Sequence, residues 1–414
     1  MTLGWDAMTG VAWDRLFHAY GSATDTPQQL RNLVSDDPGL QSEGVDYLGG
    51  AVLHQGTIYP VTPVVVRVVA GLLGDPSLRR ALPDDDNTLR AAVGPVVVPV
   101  LGFLAGAGES LAWSRPALPD PLPQASPTEI GQFFTQLADE DDEAWESSVP
   151  EVLMCQAVVE LRAMAAEVAA AMILFVADTD REIRCLAAHA TAQWCRSLDC
   201  DSGVVSDASN AVVARLSAAQ GRPERASLVL SAGQLGADVS GFVHDTDEAV
   251  RCCAALFVHT DEATSLIIDA LTSPDRVDNW FTVSDRPPYF PMKVRFRLRD
   301  EIMNRDVTID RMLPAAVALI NSSSPYLADA EWGPLLRLAF PEARFYPDPG
   351  CEPGVRPPLP NHLTDAQTAV VQALVDNESL WDPRNGNASL ARHRVGLPDD
   401  RAAVIDYLKQ ASPQ

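Results

Sequence analysis

Three features of this sequence predict an all-α chain that stacks helical hairpins into a solenoid. Apolar residues recur at spacings of three and four, the periodicity of one face of a helix. Helix-start signals are frequent and well formed. One eleven-residue frame occurs twice, offset by 67 residues, the mark of a repeat array. Composition agrees. Of the 414 residues, 47% are hydrophobic but only 7% aromatic, and Ala, Leu and Val dominate. That balance suits close-packed helices better than a β-sandwich.

The helix starts come in chain order. Thr26-Pro27-Gln28-Gln29 places a capping Thr, a Pro at the first helical position and a Gln three residues on. Ser126-Pro127-Thr128-Glu129 and Thr364-Asp365-Ala366-Gln367 follow the same logic. In each, the hydroxyl accepts from the backbone while Glu or Gln reaches back. Thr62-Pro63 and Ser77 are weaker starts. Between them run apolar stripes: Leu30, Leu33, Val34; then Val45, Leu48, Val52, Leu53; then Val65, Val68, Val69, Leu72, Leu73. The valine-rich stretches Pro63 to Val69 and Val96 to Leu101 imitate strands, but their caps and continuations favour helices. The charge-free run Ala91 to Gly108 holds Pro95, Pro99 and four glycines. It reads as a buried helix begun near one of those prolines rather than a membrane span.

The repeated frame is D-T-D-x-x-[IV]-R-C-x-A-A, at Asp178 to Ala188 and again at Asp245 to Ala255. Asp or Thr in the turn caps the incoming helix, Ile183 or Val250 faces the core, and the paired alanines let helices approach. Arg184 and Arg251 reach back to a turn carboxylate or carbonyl, in their own repeat or the next. Asp178, Asp180, Arg184, Asp245, Asp247 and Arg251 are therefore expected to stabilise the repeats and to hold them in register.

These two copies resemble the second half of a HEAT repeat of the PBS-lyase HEAT-like kind. Trp13 to Gly21 with Asp25-Thr26-Pro27, and His54 to Pro60, resemble the opening of HEAT-repeat proteins common in actinobacteria. Leu380 to Asn387 and Gly396-Leu397-Pro398 resemble their closing segment. The near-total use of Arg over Lys, with only Lys293 and Lys409 as lysines, looks like codon bias from such a genome. The resemblance implies an α-solenoid and no particular activity. The stretch from about Asn279 to Asp300 departs from it.

Prolines and charge divide the chain. Residues 1–113 read as an N-terminal helical block, followed by a linker over 114–127 with five prolines. Residues 128–345 read as the central HEAT-like repeats, carrying an insert at 279–300. A loop over 346–362 with six prolines precedes C-terminal capping helices at 363–414. Within the insert, Lys293, Arg295, Arg297 and Arg299 alternate, the one place where a short strand is expected.

Net charge is −25. Such a surface repels phosphate backbones, which argues against nucleic-acid binding and against a HEAT-type DNA glycosylase. It favours cationic partners and solubility. Seven cysteines are scattered without a C-x-x-C, and the N-terminus shows no signal-peptide pattern. A reduced, cytoplasmic setting without a membrane anchor is expected. Cys185, His189, Cys195 and Cys200 are a zinc alternative whose spacing fits no usual finger, so core thiols are preferred. No cofactor or metal is expected.

Two irregular segments are left as binding candidates. The turn His54-Gln55-Gly56-Thr57-x-Tyr59 brings His54, Gln55 and Tyr59 together; its bland reading is a glycine C-cap with a His in the last turn. The insert offers Tyr289, Phe290, Lys293, Arg295, Arg297 and Arg299 for a phosphate or an acidic peptide, or else as charges packed on acidic neighbours. Nucleophile elbows, phosphate loops and H-E-x-x-H are missing from the sequence. The leading expectation is a non-enzymatic scaffold for a protein partner, in one version neutralising a basic effector such as a toxin. The alternative is an enzyme or small-molecule binder with a pocket between the N-terminal block and the central repeats.

Overall fold

The computed structural model describes the whole chain except residues 1, 83–93, 115–117, 199–201, 329, 346, 347, 349, 353 and 412–414. Among the described residues the protein is all-α, with nineteen α-helices and a single two-residue hairpin, Phe17–His18 against Gly21–Ser22. That hairpin is too short to leave any alternation in the sequence. Both valine-rich stretches are helical, within Thr62–Leu72 and Val97–Ser114. Residues 91–93 of the charge-free run lie outside the described residues. Val97–Ser114 is long and apolar enough to cross a membrane by length and composition alone.

The chain forms two compact units. One holds Met1–Val239 and Val283–Tyr289; the other holds Ser240–Thr282 and Phe290–Gln414. The division falls inside the block expected over 128–345, and the proline-rich stretch 114–127 lies within the first unit. Of that stretch, 118–126 carries no helix before the capped start at Pro127.

The first unit is organised around the helix Arg181–Cys195, in which twelve of fifteen residues are buried. Val97–Ser114, Ala165–Ile173, Gly203–Leu216 and Arg222–Gln234 all pack on it. Its most extensive packing is against Val97–Ser114. The Trp194 indole N–H donates to the Leu104 carbonyl at 2.7 Å, and the ring lies against Gly108, where a Cβ would come within 2.8 Å of Trp194 Cδ1. Gly108 is thus required by the proximity of two helices, not by a ligand.

Both copies of the repeated frame adopt one geometry, one copy in each unit. Asp180 accepts from the N–H groups of Glu182 and Ile183, and Asp247 from those of Ala249 and Val250. Asp178 and Asp245 each accept from the N–H two residues on, at 2.8 and 2.9 Å. The Arg184 guanidinium donates to the Asp178 and Thr179 carbonyls, and Arg251 to those of Asp245 and Thr246. Each Arg therefore closes its own turn. In the first copy Arg184 also pairs with buried Glu224 at 2.6 Å, and Arg215 pairs with the same carboxylate oxygen at 2.7 Å. Burial pushes the Glu224 carboxyl up, but the bonds and charges of Arg184 and Arg215 outweigh it and bring it down to about 2.

The capping boxes at Ser126 and Thr364 form as their sequence implies. Thr26 departs from expectation: the helix Thr26–Asn32 is entered from Asp25, and the Thr26 hydroxyl bonds Tyr47 instead. The strand expected over Lys293 to Arg299 is a helix, Val294–Met303. Alternating bases also satisfy a spacing of four. Val294, Leu298 and Ile302 form the helical stripe, and Arg295 and Arg299 are buried alongside it. Of the loop 346–362, the described residues carry no helix, and Gly396 fixes its edge. Gly396 has φ +85°, and a Cβ there would lie 2.3 Å from the Pro357 carbonyl oxygen.

Two outcomes follow from this packing. Gly108→Ala lowers the unfolding free energy by about 1–3 kcal/mol, the usual cost of overpacking. Gly102→Ala, at an open position of the same helix, is neutral or stabilising by up to about 1 kcal/mol; urea unfolding of both variants reads the contrast. The Glu224 carboxyl lies below its unfolded value, so its stabilisation is complete above about pH 4.5 and is lost as pH falls toward about 2. Glu224→Gln flattens the pH dependence of denaturant stability in that window.

Candidate functional site

The pleat of the Phe17–His18 strand sends adjacent side chains to opposite faces. Phe17 enters an aromatic core, meeting Tyr59, Phe133 and Trp145 edge-on with centroids 6.2, 5.5 and 5.3 Å away. His18 turns the other way, into a polar cluster with Tyr20, Asp25, Tyr47 and His54. Tyr59, a binding candidate by sequence, thus packs against the core, while His54 joins the polar side.

Two departures from regular backbone shape that side. The helix Pro38–Tyr47 widens into a π-turn over Leu48–Val52, and the next turn, His54–Gly56, places Gln55 at φ +52°, ψ 27°. A π-turn and a left-handed non-glycine residue are both uncommon and tend to gather where function constrains the chain. Here they swing His54 out beneath Tyr20.

The bonds sort the cluster into an inner and an outer half. His18 is 5% exposed, and its Nδ1 accepts the Tyr20 backbone N–H at 3.1 Å. The ring proton therefore sits on Nε2, which donates to Asp25 Oδ1 at 3.1 Å. The Tyr47 hydroxyl donates to the same oxygen at 3.1 Å and meets the fully buried Thr26 hydroxyl at 2.6 Å. Burial pushes the Tyr47 phenol up, and the Asp25 charge adds to this against the opposing Thr26 bond. With both His18 nitrogens engaged and Tyr47 kept a phenol, the inner half is a locked hydrogen-bond network.

The outer half is accessible. Tyr20 is 70% exposed, yet its hydroxyl is 3.3 Å from His54 Nδ1 and its ring meets the His54 and His18 rings edge-on at 5.5 and 6.4 Å. His54 Nδ1 also lies 3.1 Å from the Gly50 carbonyl. A carbonyl only accepts, so Nδ1 carries the proton and Nε2 of the neutral ring presents a lone pair. The Asp25 side chain is 49% exposed.

The insert is placed otherwise. Tyr289 ends the segment Val283–Tyr289 of the first unit, whereas Phe290 belongs to the second, buried and stacked on Phe281. Arg295 is 2% exposed and pairs with Glu331 at 2.8 Å and Asp278 at 3.3 Å. Arg299 pairs with Asp300 and donates to the Ala330 and Glu331 carbonyls. Neither guanidinium is available to a ligand. Lys293 is exposed, 3.9 Å from Asp278, and Arg297 is half-buried.

Elsewhere, a cleft of about 90 Å³ in the first unit is lined by Arg181, Glu182, Cys185, Ser227, Asp285 and Arg286, with Arg181 bound to Asp285 at 2.5 Å. Two open clefts of the second unit, about 540 and 310 Å³, lie at Asp382–Arg384 and at Arg305–Arg311. None of these three is lined by His54, Gln55, Tyr59, Tyr289 or Phe290. Cys185 and Cys195 are buried in one helix, and burial pushes both thiols up to about 11. Cys200 lies outside the described residues, among which no group of three metal-binding side chains assembles.

No family model, curated protein or solved structure matches the chain.

His18, Tyr20, Asp25 and Tyr47 were not singled out by chemistry in the sequence. For His18, Tyr20 and Asp25 the signal is the density of Trp, His, Tyr and Asp between Trp13 and Asp25; Tyr47 carries none. Tyr47→Phe removes the hydroxyl shared by Thr26 and Asp25 and lowers stability by about 1–2 kcal/mol. Tyr20→Phe, whose hydroxyl is at the surface, changes it by less than about 0.5 kcal/mol. Thermal or urea unfolding separates the two.

Proposed function

We propose that this chain is a HEAT-type α-solenoid scaffold that binds a basic protein partner and performs no chemistry of its own, in a reducing, cytoplasmic setting. The observation that carries this reading is the repeated frame. Its two copies, one in each unit, form the same caps and the same arginine-to-carbonyl closure. Residues that look chemically rich in the sequence are thereby committed to holding turns, as in repeat proteins that work through a surface. The partner's sign follows from charge: 56 acidic residues face 31 basic ones, and some of those bases are buried in pairs. Neutralisation of a basic effector, such as a toxin, is the specific version.

A second reading, a small-molecule site, draws on the left-handed Gln55 and the π-turn beside His54. A ligand co-purifying with the native protein and lost on mutation of His54 would favour it.

Affinity capture on the immobilised chain from a lysate of its source, at about 0.05 M and about 0.5 M salt, tests the leading reading. A basic protein retained at low salt and released at high salt is expected. Retention of no salt-sensitive protein overturns it.

A further inference from the structure

The geometry points to the Tyr20–His54–Asp25 face as a docking site for a guanidinium group, supplied by an arginine side chain of the partner. This rests on the reading of the chain as a binder of a basic protein and names the place where that partner is gripped.

The outer half of the cluster offers acceptors and a π-face. Tyr20 presents an exposed ring that bonds His54 through its hydroxyl and makes T-shaped contacts with the His54 and His18 rings. An exposed aromatic already ordered in the free protein costs little entropy on binding and is the residue type that dominates interfaces. His54 Nε2 presents a lone pair, because Nδ1 gives its proton toward Gly50. Asp25 spends Oδ1 on His18 and Tyr47, and its half-exposed side chain leaves negative charge at the surface one imidazole away from Tyr20.

The ligand chemistry follows by complement. An aromatic face, a nitrogen lone pair and a carboxylate require a partner that is cationic, flat and rich in donors. A guanidinium has five N–H donors, no acceptor, and a plane that stacks on an aromatic ring. An ammonium matches the charge but neither stacks nor spreads its donors in a plane. A phosphate or carboxylate would meet the Asp25 charge and the His54 lone pair, with only the Tyr20 hydroxyl to donate to it. The inner network supports the site: His18 is bound through both nitrogens, tying the Tyr20 backbone to the Asp25 carboxylate.

The test titrates the full chain with an oligo-arginine peptide, an oligo-lysine peptide of equal length and free L-arginine, at near-physiological salt so that general attraction is screened. The wild type is expected to prefer oligo-arginine over oligo-lysine and to bind free arginine far more weakly. Tyr20→Leu and His54→Leu, checked for unchanged helix content and melting, are expected to weaken oligo-arginine binding roughly tenfold and to erase the preference. A preference that survives Tyr20→Leu overturns the site while leaving the basic-partner reading intact. Free arginine binding as tightly as the peptide overturns the docking of a protein in favour of a small-molecule site. Failure of the wild type to bind either peptide overturns both.

Discussion

The helix Arg181–Cys195 has almost no solvent face, with twelve of its fifteen residues buried, and the first unit is arranged to make this possible. A helix enclosed that completely cannot use the ordinary division into apolar and polar sides. Its alanines give neighbours room to approach. Its largest side chain, Trp194, is accommodated because Gly108 across the interface has no side chain, and its indole N–H finds a carbonyl at the same contact. Its one buried charge, Arg184, is tolerated because Glu224 and Arg215 complete the pairing. Truncating Trp194, Glu224 or Arg215 leaves a void or an unpaired polar group in the interior, and enlarging Gly108 overpacks it.

The same economy governs charge in the second unit. Arg295 lies 2% exposed between Glu331 and Asp278, and Arg299 closes on backbone carbonyls. Arginines are drawn inward to carboxylates supplied by other elements. The exposed surface keeps the remaining acids, so what an approaching molecule meets is governed by where the bases are hidden as well as by the formal charge of −25. The Tyr20–His54 face stands out against that surface because its polar groups are oriented rather than merely charged.

What the sequence disclosed was short in range. The Ser126 and Thr364 boxes and the Asp180 and Asp247 caps involve residues within four positions of one another, and each was legible. The helical state of the valine-rich stretches followed from their continuations. The misreading of Lys293 to Arg299 as a strand came from their alternation: Asp300 stands next to Arg299 in the sequence, but Glu331, which pairs with Arg295, lies 36 residues away. The cluster at His18 was hidden by distance along the chain as well, since Tyr47 comes from a later helix and His54 follows a π-turn that no periodicity of three and four anticipates. The boundary at Val239 falls in a turn after Gly236, and Val283–Tyr289 lies inside the stretch that departs from the repeats, but neither signal by itself distinguishes a unit boundary from an ordinary turn or insert.

That boundary has an implication for how such a chain changes over time. The segment Val283–Tyr289 belongs with the first unit although both of its flanks belong to the second. Neither unit is a contiguous stretch of gene. A recombination event with one breakpoint cannot transfer either unit whole, and duplication of one would carry a fragment of the other. The two halves are thus tied to a common inheritance by the path of the chain itself.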